Sequence, residues 1–155
     1  MNTINVRIAT IGDLDFIVSL LPRLTEFGPP AWRDINNMLS VDQNVIKAKL
    51  TDTPTDTVIL IAENADAAPL GFIHVHFGND YYYKEPHAHI SDVITDKKAT
   101  GLGVGQILMD AAETWARSRG CRWLTLSVFA QNIRARELYR RQGFGEDIMK
   151  YVKQL

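Results

Sequence analysis

Apolar positions along the chain fall into two rhythms, one near 3.6 residues and one near 2, and their order sets the expected architecture. Residues 6–9 read as a first short strand. Thr10 and Asp13 look like the entry to a helix whose apolar residues Leu14, Ile17, Leu20 and Leu21 share one face, until Gly28-Pro29-Pro30 stops it. A charged, amphipathic run at 41–50 reads as a second helix before the turn Thr53-Pro54-Thr55. The β-rich runs at 57–63 and 70–77 flank residues 64–69, which have hairpin-loop length and chemistry, so the two are expected as antiparallel neighbours. Residues 78–86, with three consecutive tyrosines, form a loop into a strand at 89–95. A helix at 106–119, a strand at 122–129, a helix at 133–142 and a strand at 144–152 complete the order β-α-α-β-β-β-α-β-α-β. That order predicts an α/β fold with a mixed, mainly antiparallel central sheet flanked by helices, not an all-parallel dinucleotide-binding sheet. Internal repeats and low-complexity segments are absent from the sequence.

Composition narrows the classes of function. A chain of 155 residues is expected to be one domain, residues 1–155, able to bury about two-thirds of its unfolded surface. Apolar residues at 46% and charged residues at 23% are those of a soluble globular protein. A net charge of −1 argues against a nucleic-acid partner held by bulk electrostatics. The longest apolar runs, such as 58–62, fall far short of the ~20 residues that span a bilayer, so no membrane partner is expected. Cys121 is the only cysteine and cannot form an internal disulfide, and residues 1–7 lack the apolar core of a secretion signal. The expected setting is cytoplasmic.

The first chemical signal is Thr100-Gly101-Leu102-Gly103-Val104-Gly105, between a strand-like and a helix-like run. Three alternate glycines let the backbone approach a ligand with its N–H groups outward, and the following helix adds a positive dipole end. Such a place binds phosphate, although glycine at a strand-to-helix turn also serves geometry alone. A dinucleotide fold would carry this pattern after its first strand, with an acid ending the next strand; neither condition holds here. No Lys-Ser or Lys-Thr pair follows, which excludes a P-loop. The second signal is Asn132-x-x-Ala135-x-x-x-Tyr139-x-x-x-Gly143-Phe144, a helix begun by asparagine and stopped by glycine.

With these two signals, residues 88–144 resemble the GNAT superfamily of acyl-CoA-dependent N-acyltransferases, whose loop runs Arg or Gln, x, x, Gly, x, Gly or Ala. The resemblance implies that the backbone N–H groups of Gly101, Leu102, Gly103, Val104 and Gly105 hold the pyrophosphate of coenzyme A. It also implies that Val93, Ile94 and Thr95 pair with the pantetheine like an extra strand. Thr100 stands where the family usually has Arg or Gln. Its hydroxyl could substitute where backbone donors carry most of the binding, and Lys97 or Lys98 could add charge, or be solvated loop residues. Tyr139 is implied as the general acid for the departing thiolate, and Asn132 as an amide bonded to the cofactor arm. A thiolate with a conjugate pKa of about 8.5 leaves more readily beside a phenol of pKa about 10. Taken singly, Tyr139 could be a packed aromatic and Asn132 a plain N-cap.

The attacking amine must lose a proton. His89-Ile90-Ser91-Asp92 resembles the segment His-Ile-Glu-Asp of glucosamine-phosphate acetyltransferases in the superfamily, with Ser91 in the Glu place. Asp92 is the first choice of base, acting directly or through a water, with Glu85 and His87 in reserve. Asp92 could equally be a structural carboxylate. His74 and His76 alternate on one strand, His87 and His89 on its neighbour, so a metal site is geometrically conceivable. No cysteine or paired acid completes a ligand set, the transfer needs no metal, and none is expected. Residues 27–34 and Asp80-Tyr81-Tyr82-Tyr83 are where the family varies its acceptor pocket; their aromatics and acids suit a cationic amine, loop packing or a dimer contact. Trp115 and Leu108 are expected in the core. The chain therefore reads as an N-acetyltransferase carrying acetyl from acetyl-CoA to a primary amine of a small molecule by direct attack, possessing the homodimeric state that the resemblance suggests. A protein or peptide amine is the runner-up acceptor, and a CoA-binding sensor without turnover is the rival class.

Overall fold

Five strands form one sheet in the order β1-β2-β3-β4-β5, in a computed structural model that describes residues 3–155. They are β1 Asn5–Ile8, β2 Thr57–Glu63, β3 Pro69–Asn79, β4 Pro86–Thr95 and β5 Trp123–Leu126. The first four pair antiparallel and β5 joins β4 in parallel, so the expected mixed, mainly antiparallel sheet is what forms. The parallel step needs a crossover, and α3 (Val104–Ser118) supplies it. The other helices are α1 (Leu14–Leu20), α2 (Ile35–Asp52) and α4 (Ile133–Arg141). No helix among the described residues is long and apolar enough to cross a membrane.

Each face of the sheet is covered, so β2 reads as an almost continuous apolar run. On one face the α3 stripe Val104, Leu108, Ala112 and Ala116, spaced four apart, packs on Ile73, Val75, Ala88 and Ile90. On the other, Ile17, Leu20 and Leu21 with Ile46 and Leu50 of α2 close over Ile59, Ile61, Phe72 and Ile94. Phe72 and Ile61 are wholly buried, each worth about 1.5–3 kcal/mol relative to an exposed side chain. Arg7 ties β1 to this second layer, with a bidentate pair to Asp13 at 2.8 Å and a bond to Glu63 at 2.7 Å. The guanidinium holds the Asp13 carboxyl below the usual carboxylate range.

Three boundaries differ from expectation for physical reasons. The first helix is split: a 3-10 turn at Ile11–Asp13 precedes α1 and another at Leu21–Thr25 follows it, because Pro22 has no N–H to continue the α-helical ladder. α2 starts at Ile35 instead of 41, because Asp34 caps it, accepting from the Asn36 and Asn37 N–H groups at 2.8 and 3.2 Å. The strand expected at 144–152 does not form. That segment carries the β-prone residues Phe144, Ile148, Tyr151 and Val152, but β5 ends at Leu126, and Glu146 is held on α4 by Arg136 at 2.8 Å and Arg140 at 2.7 Å. Ile148, Met149 and Tyr151 consequently face solvent, and residues 143–155 carry no regular secondary structure.

Candidate active site

The sheet opens where β5 stops. The β4–β5 ladder runs from His87↔Trp123 to Ile90↔Leu126, and β4 then continues to Thr95 with β3 as its only strand partner. Asp96 N donates to Leu70 O at 2.7 Å, so even-numbered residues at this end address β3. Val93 and Thr95 therefore turn their N–H and C=O groups toward the open side, as an extended ligand pairing with the strand would require. Ile94, expected as a third contact, turns its backbone to β3 and its side chain into the core. A β-bulge between His74 and Val75 leaves Ser91 without a partner and sets Asp92 opposite His74. A cavity of about 60 Å³ lies in the opening, lined by Ser91, Asp92 and Val93 of β4, Ser127 just after β5, Leu24 and Tyr139. It has room for a few waters or the acetyl end of a thioester.

The glycine-rich loop meets α3 beside this opening. Gly101 and Gly103 have φ of +83° and +75°, values that side chains rarely adopt, and an added Cβ at either would meet only open space. The Thr100 and Leu102 N–H groups are spent on Lys97 O and Ala99 O, while the first bond of α3 runs from Ile107 N to Gly103 O. The donors that remain are Gly101, Gly103 and the first turn of α3, Val104 and Gly105 included, which narrows the expected set by one, Leu102. Thr100 donates its hydroxyl to Lys97 O at 2.7 Å, so that proton is already engaged. Lys97 lies 3.0 Å from Glu26.

Tyr139 arrives from α4. Its ring packs edge-on to Phe144 at 5.9 Å, and burial pushes its phenol above the usual tyrosine range, which keeps it protonated at neutral pH. Asn132 caps the same helix, its Oδ1 accepting from Ala135 N at 3.1 Å; the NH₂ group is not used in that cap.

A strand opened for an extended ligand, a nest of N–H donors at a helix start and a protonated phenol between them are joined by a family-level match. The acetyltransferase (GNAT) family model matches residues 21–144. The chain belongs to the GNAT family. It is similar to the aminoglycoside N(6')-acetyltransferase type 1 of Stenotrophomonas maltophilia, 27% identical over 121 residues that cover 75% of this chain and 79% of that one. It is also similar to the thialysine N-epsilon-acetyltransferase of Bos taurus, 24% identical with 92% and 85% covered. Among solved structures, an aminoglycoside N-acetyltransferase in complex with CoA superposes with a TM-score of 0.72 at 18% identity, covering 100% of this chain and 97% of that one. The last shows common fold; the family match makes this an acyl-CoA-dependent N-acetyltransferase.

On the α1/α2 face of this GNAT sheet, all four histidines share one side of β3 and β4. His76 lies opposite His89 with ring centroids 5.3 Å apart, and His89 Nδ1 is 2.8 Å from Thr125 Oγ1. Burial first, and the neighbouring imidazoles second, hold both His76 and His89 below the usual histidine range. His74 Nδ1 is 3.3 Å from Asp92 Oδ2. Among the described residues no group of three or more His, Cys, Asp or Glu is placed to hold a metal ion. The reserve bases sit elsewhere: Glu85 is 3.6 Å from Arg122, and His87 lies near the β3–β4 turn, opposite Gly78.

The two segments expected at the acceptor pocket of this acetyltransferase part company. Residues 27–34 pack beside the opening: a Cβ on Gly28 would lie 2.8 Å from Phe129, and Arg33 stacks on Trp32 at 4.5 Å. Asp80 instead caps its own turn, accepting from Tyr82 N and Tyr83 N, and the three tyrosines are exposed at the far end of the β3–β4 hairpin. Trp115 lies partly buried against the α3 core, where Leu108 is wholly buried. Sequence reasoning missed Arg23, whose Nη1 donates to the Thr95 carbonyl on the open edge of β4, and Leu24. Both sit in the 3-10 turn after α1, where no periodicity points at the cleft.

Proposed function

We propose that this acetyltransferase moves acetyl from acetyl-CoA to a primary amine of a small molecule by direct attack, with Asp92 as base and Tyr139 as acid. The carrying observation is that Asp92 and Tyr139 line one cavity where β4 and β5 part, beside the Gly101–Gly105 donors. The pyrophosphate sits on those N–H groups and the pantetheine pairs with Val93 and Thr95, bringing the thioester to the opening. Thr95 offers its N–H, because Arg23 holds its carbonyl. Asn132 contributes its NH₂ group to the cofactor arm.

The ammonium gives a proton to Asp92, directly or through a water, and the freed lone pair forms the N–C bond. As the C–S bond breaks, the sulfur takes the Tyr139 proton; the new amide nitrogen sheds its second proton to the resulting phenolate, directly or through a water, and Asp92 releases its own proton to solvent. A small acceptor is favoured by the confined opening, with residues 27–34 against Phe129 on its flank. The test is calorimetric titration with acetyl-CoA, then thiol release across polyamines, aminoglycosides, amino sugars and peptides. Release with one small amine, and none with peptides, is the expected result. Release only with peptides would replace the acceptor class, and binding without release from any amine would favour a sensor.

A further inference from the structure

His74, which lies opposite Asp92, has a third residue in line with it, Thr57 of β2. His74 is 3% exposed, and both ring nitrogens have partners: Nδ1 lies 3.3 Å from Asp92 Oδ2 and Nε2 lies 3.0 Å from Thr57 Oγ1. Thr57 Oγ1 is also 3.0 Å from the Val75 carbonyl. A hydroxyl has one proton and a carbonyl has none, so the Val75 contact is a hydrogen bond only if Thr57 donates to it. Toward His74 the threonine then offers a lone pair, which calls for a proton on Nε2. At the other end, Nδ1 faces a carboxylate oxygen, and that contact calls for a second proton.

We infer that His74 carries both ring protons and acts as a positioning residue, holding Asp92 by Oδ2 and leaving Oδ1 to receive the acceptor's proton. The inference rests on the reading of Asp92 as base. A carboxylate whose side chain is 14% exposed needs a counter-ion, and His74 is the one the described ion pairs provide. The other titratable and charged groups around this line are Asp42 and Lys49 of α2, Asp56 in the turn before β2, His76 of β3, and His87 and His89 of β4. The imidazolium and carboxylate together are neutral, so the line Thr57–His74–Asp92 puts no net charge into the sheet.

During turnover one ammonium N–H bond breaks and one O–H bond forms at Oδ1, while both His74 protons stay in place. The geometry thus assigns the ring a fixed charge and Asp92 the moving proton.

Ring-nitrogen NMR of ¹⁵N-labelled protein at about pH 7 tests this with neither acetyl-CoA nor acceptor present. Its four histidines are assigned through single His→Gln variants. His74 should show protons on both nitrogens in the wild type, and a single ring proton in Asp92→Asn, which keeps the shape and removes the charge. A neutral His74 in the wild type, with its one ring proton on either nitrogen, overturns the inference, and the wild-type spectrum decides this even if the variant misfolds. A doubly protonated ring that Asp92→Asn leaves unchanged overturns it too. Thiol release separates the two readings: a neutral His74 beside Asp92-dependent release sinks this inference alone, whereas turnover indifferent to Asp92→Asn removes the base and the positioning role with it.

Discussion

Gln142 Nε2 donates to Gln106 Oε1 at 2.9 Å, joining the residue that ends α4 to the first turn of α3. The same Gln106 side chain donates to Asp110 at 2.8 Å, so the link is anchored within α3. Tyr139, one turn before Gln142, is thereby held in register with the N–H donors of the glycine loop. The proposed acid and the proposed phosphate site are tied to each other, which is what positioning a thioester against a phenol demands.

Tyr139→Phe should therefore separate binding from chemistry. The ring packing on Phe144 survives, and only the hydroxyl is lost. Turnover should fall about 100-fold or more, the scale of a lost general acid, while calorimetric affinity for acetyl-CoA stays at the wild-type value. An unchanged rate would take the tyrosine out of the mechanism.

Gly103→Asp should spare the fold and abolish acetyl-CoA binding. The new Cβ meets open space, so the structural cost is the left-handed backbone alone, about 1–2 kcal/mol. Its carboxylate would stand where the loop directs its donors at phosphate. Circular dichroism should match the wild type as calorimetry shows no heat of binding; retained affinity would overturn the loop assignment.

Leu108→Ala probes the layer beneath that loop. Leu108 is wholly buried in the α3 cluster, and its truncation should cost about 2–5 kcal/mol. For a chain of this size Tm should fall by roughly 4–20 °C. A fall of under about 2 °C would mean that the α3 face contributes far less to the core than its packing indicates.

The histidine face makes stability depend on pH. His76 and His89 are held below their usual range in the folded state, so the unfolded chain binds more protons than the native one between their folded values and about 6.5. Stability must then rise with pH through that window and decline as pH falls from about 7 toward 5. Urea unfolding at about pH 7.5, 6.5 and 5.5 measures the slope, and His89→Gln should flatten part of it. A variant that keeps the full slope would clear His89 of any share.

Much of this was legible in residue order. The hairpin of β2 and β3, the crossover helix and the helix bearing Tyr139 were all marked by periodicity, and the last also by its Asn132 cap. The split between β4 and β5 was less so, because the run 122–129 looks like a strand throughout, and only tertiary pairing decides that it stops at Leu126. The tail failed for the converse reason: residues 144–152 include β-prone side chains but find no strand neighbour to bond, and Glu146 finds two arginines instead. The His74–Asp92 contact was hidden as well, since a bulge shifts register and no pattern along one strand reveals it.

The proposed roles fall on different elements. Groups proposed to hold acetyl-CoA hang from α3, α4 and the free edge of β4, whereas the histidines lie on the opposite side of β3 and β4 from α3, and residues 27–34 pack against Phe129. Substitutions confined to residues 27–34 would retune which amine is accepted while leaving the donor loop, Arg23 and the His74–Asp92 pair in place. A fold divided in this way can diversify its clientele while inheriting one method of activation.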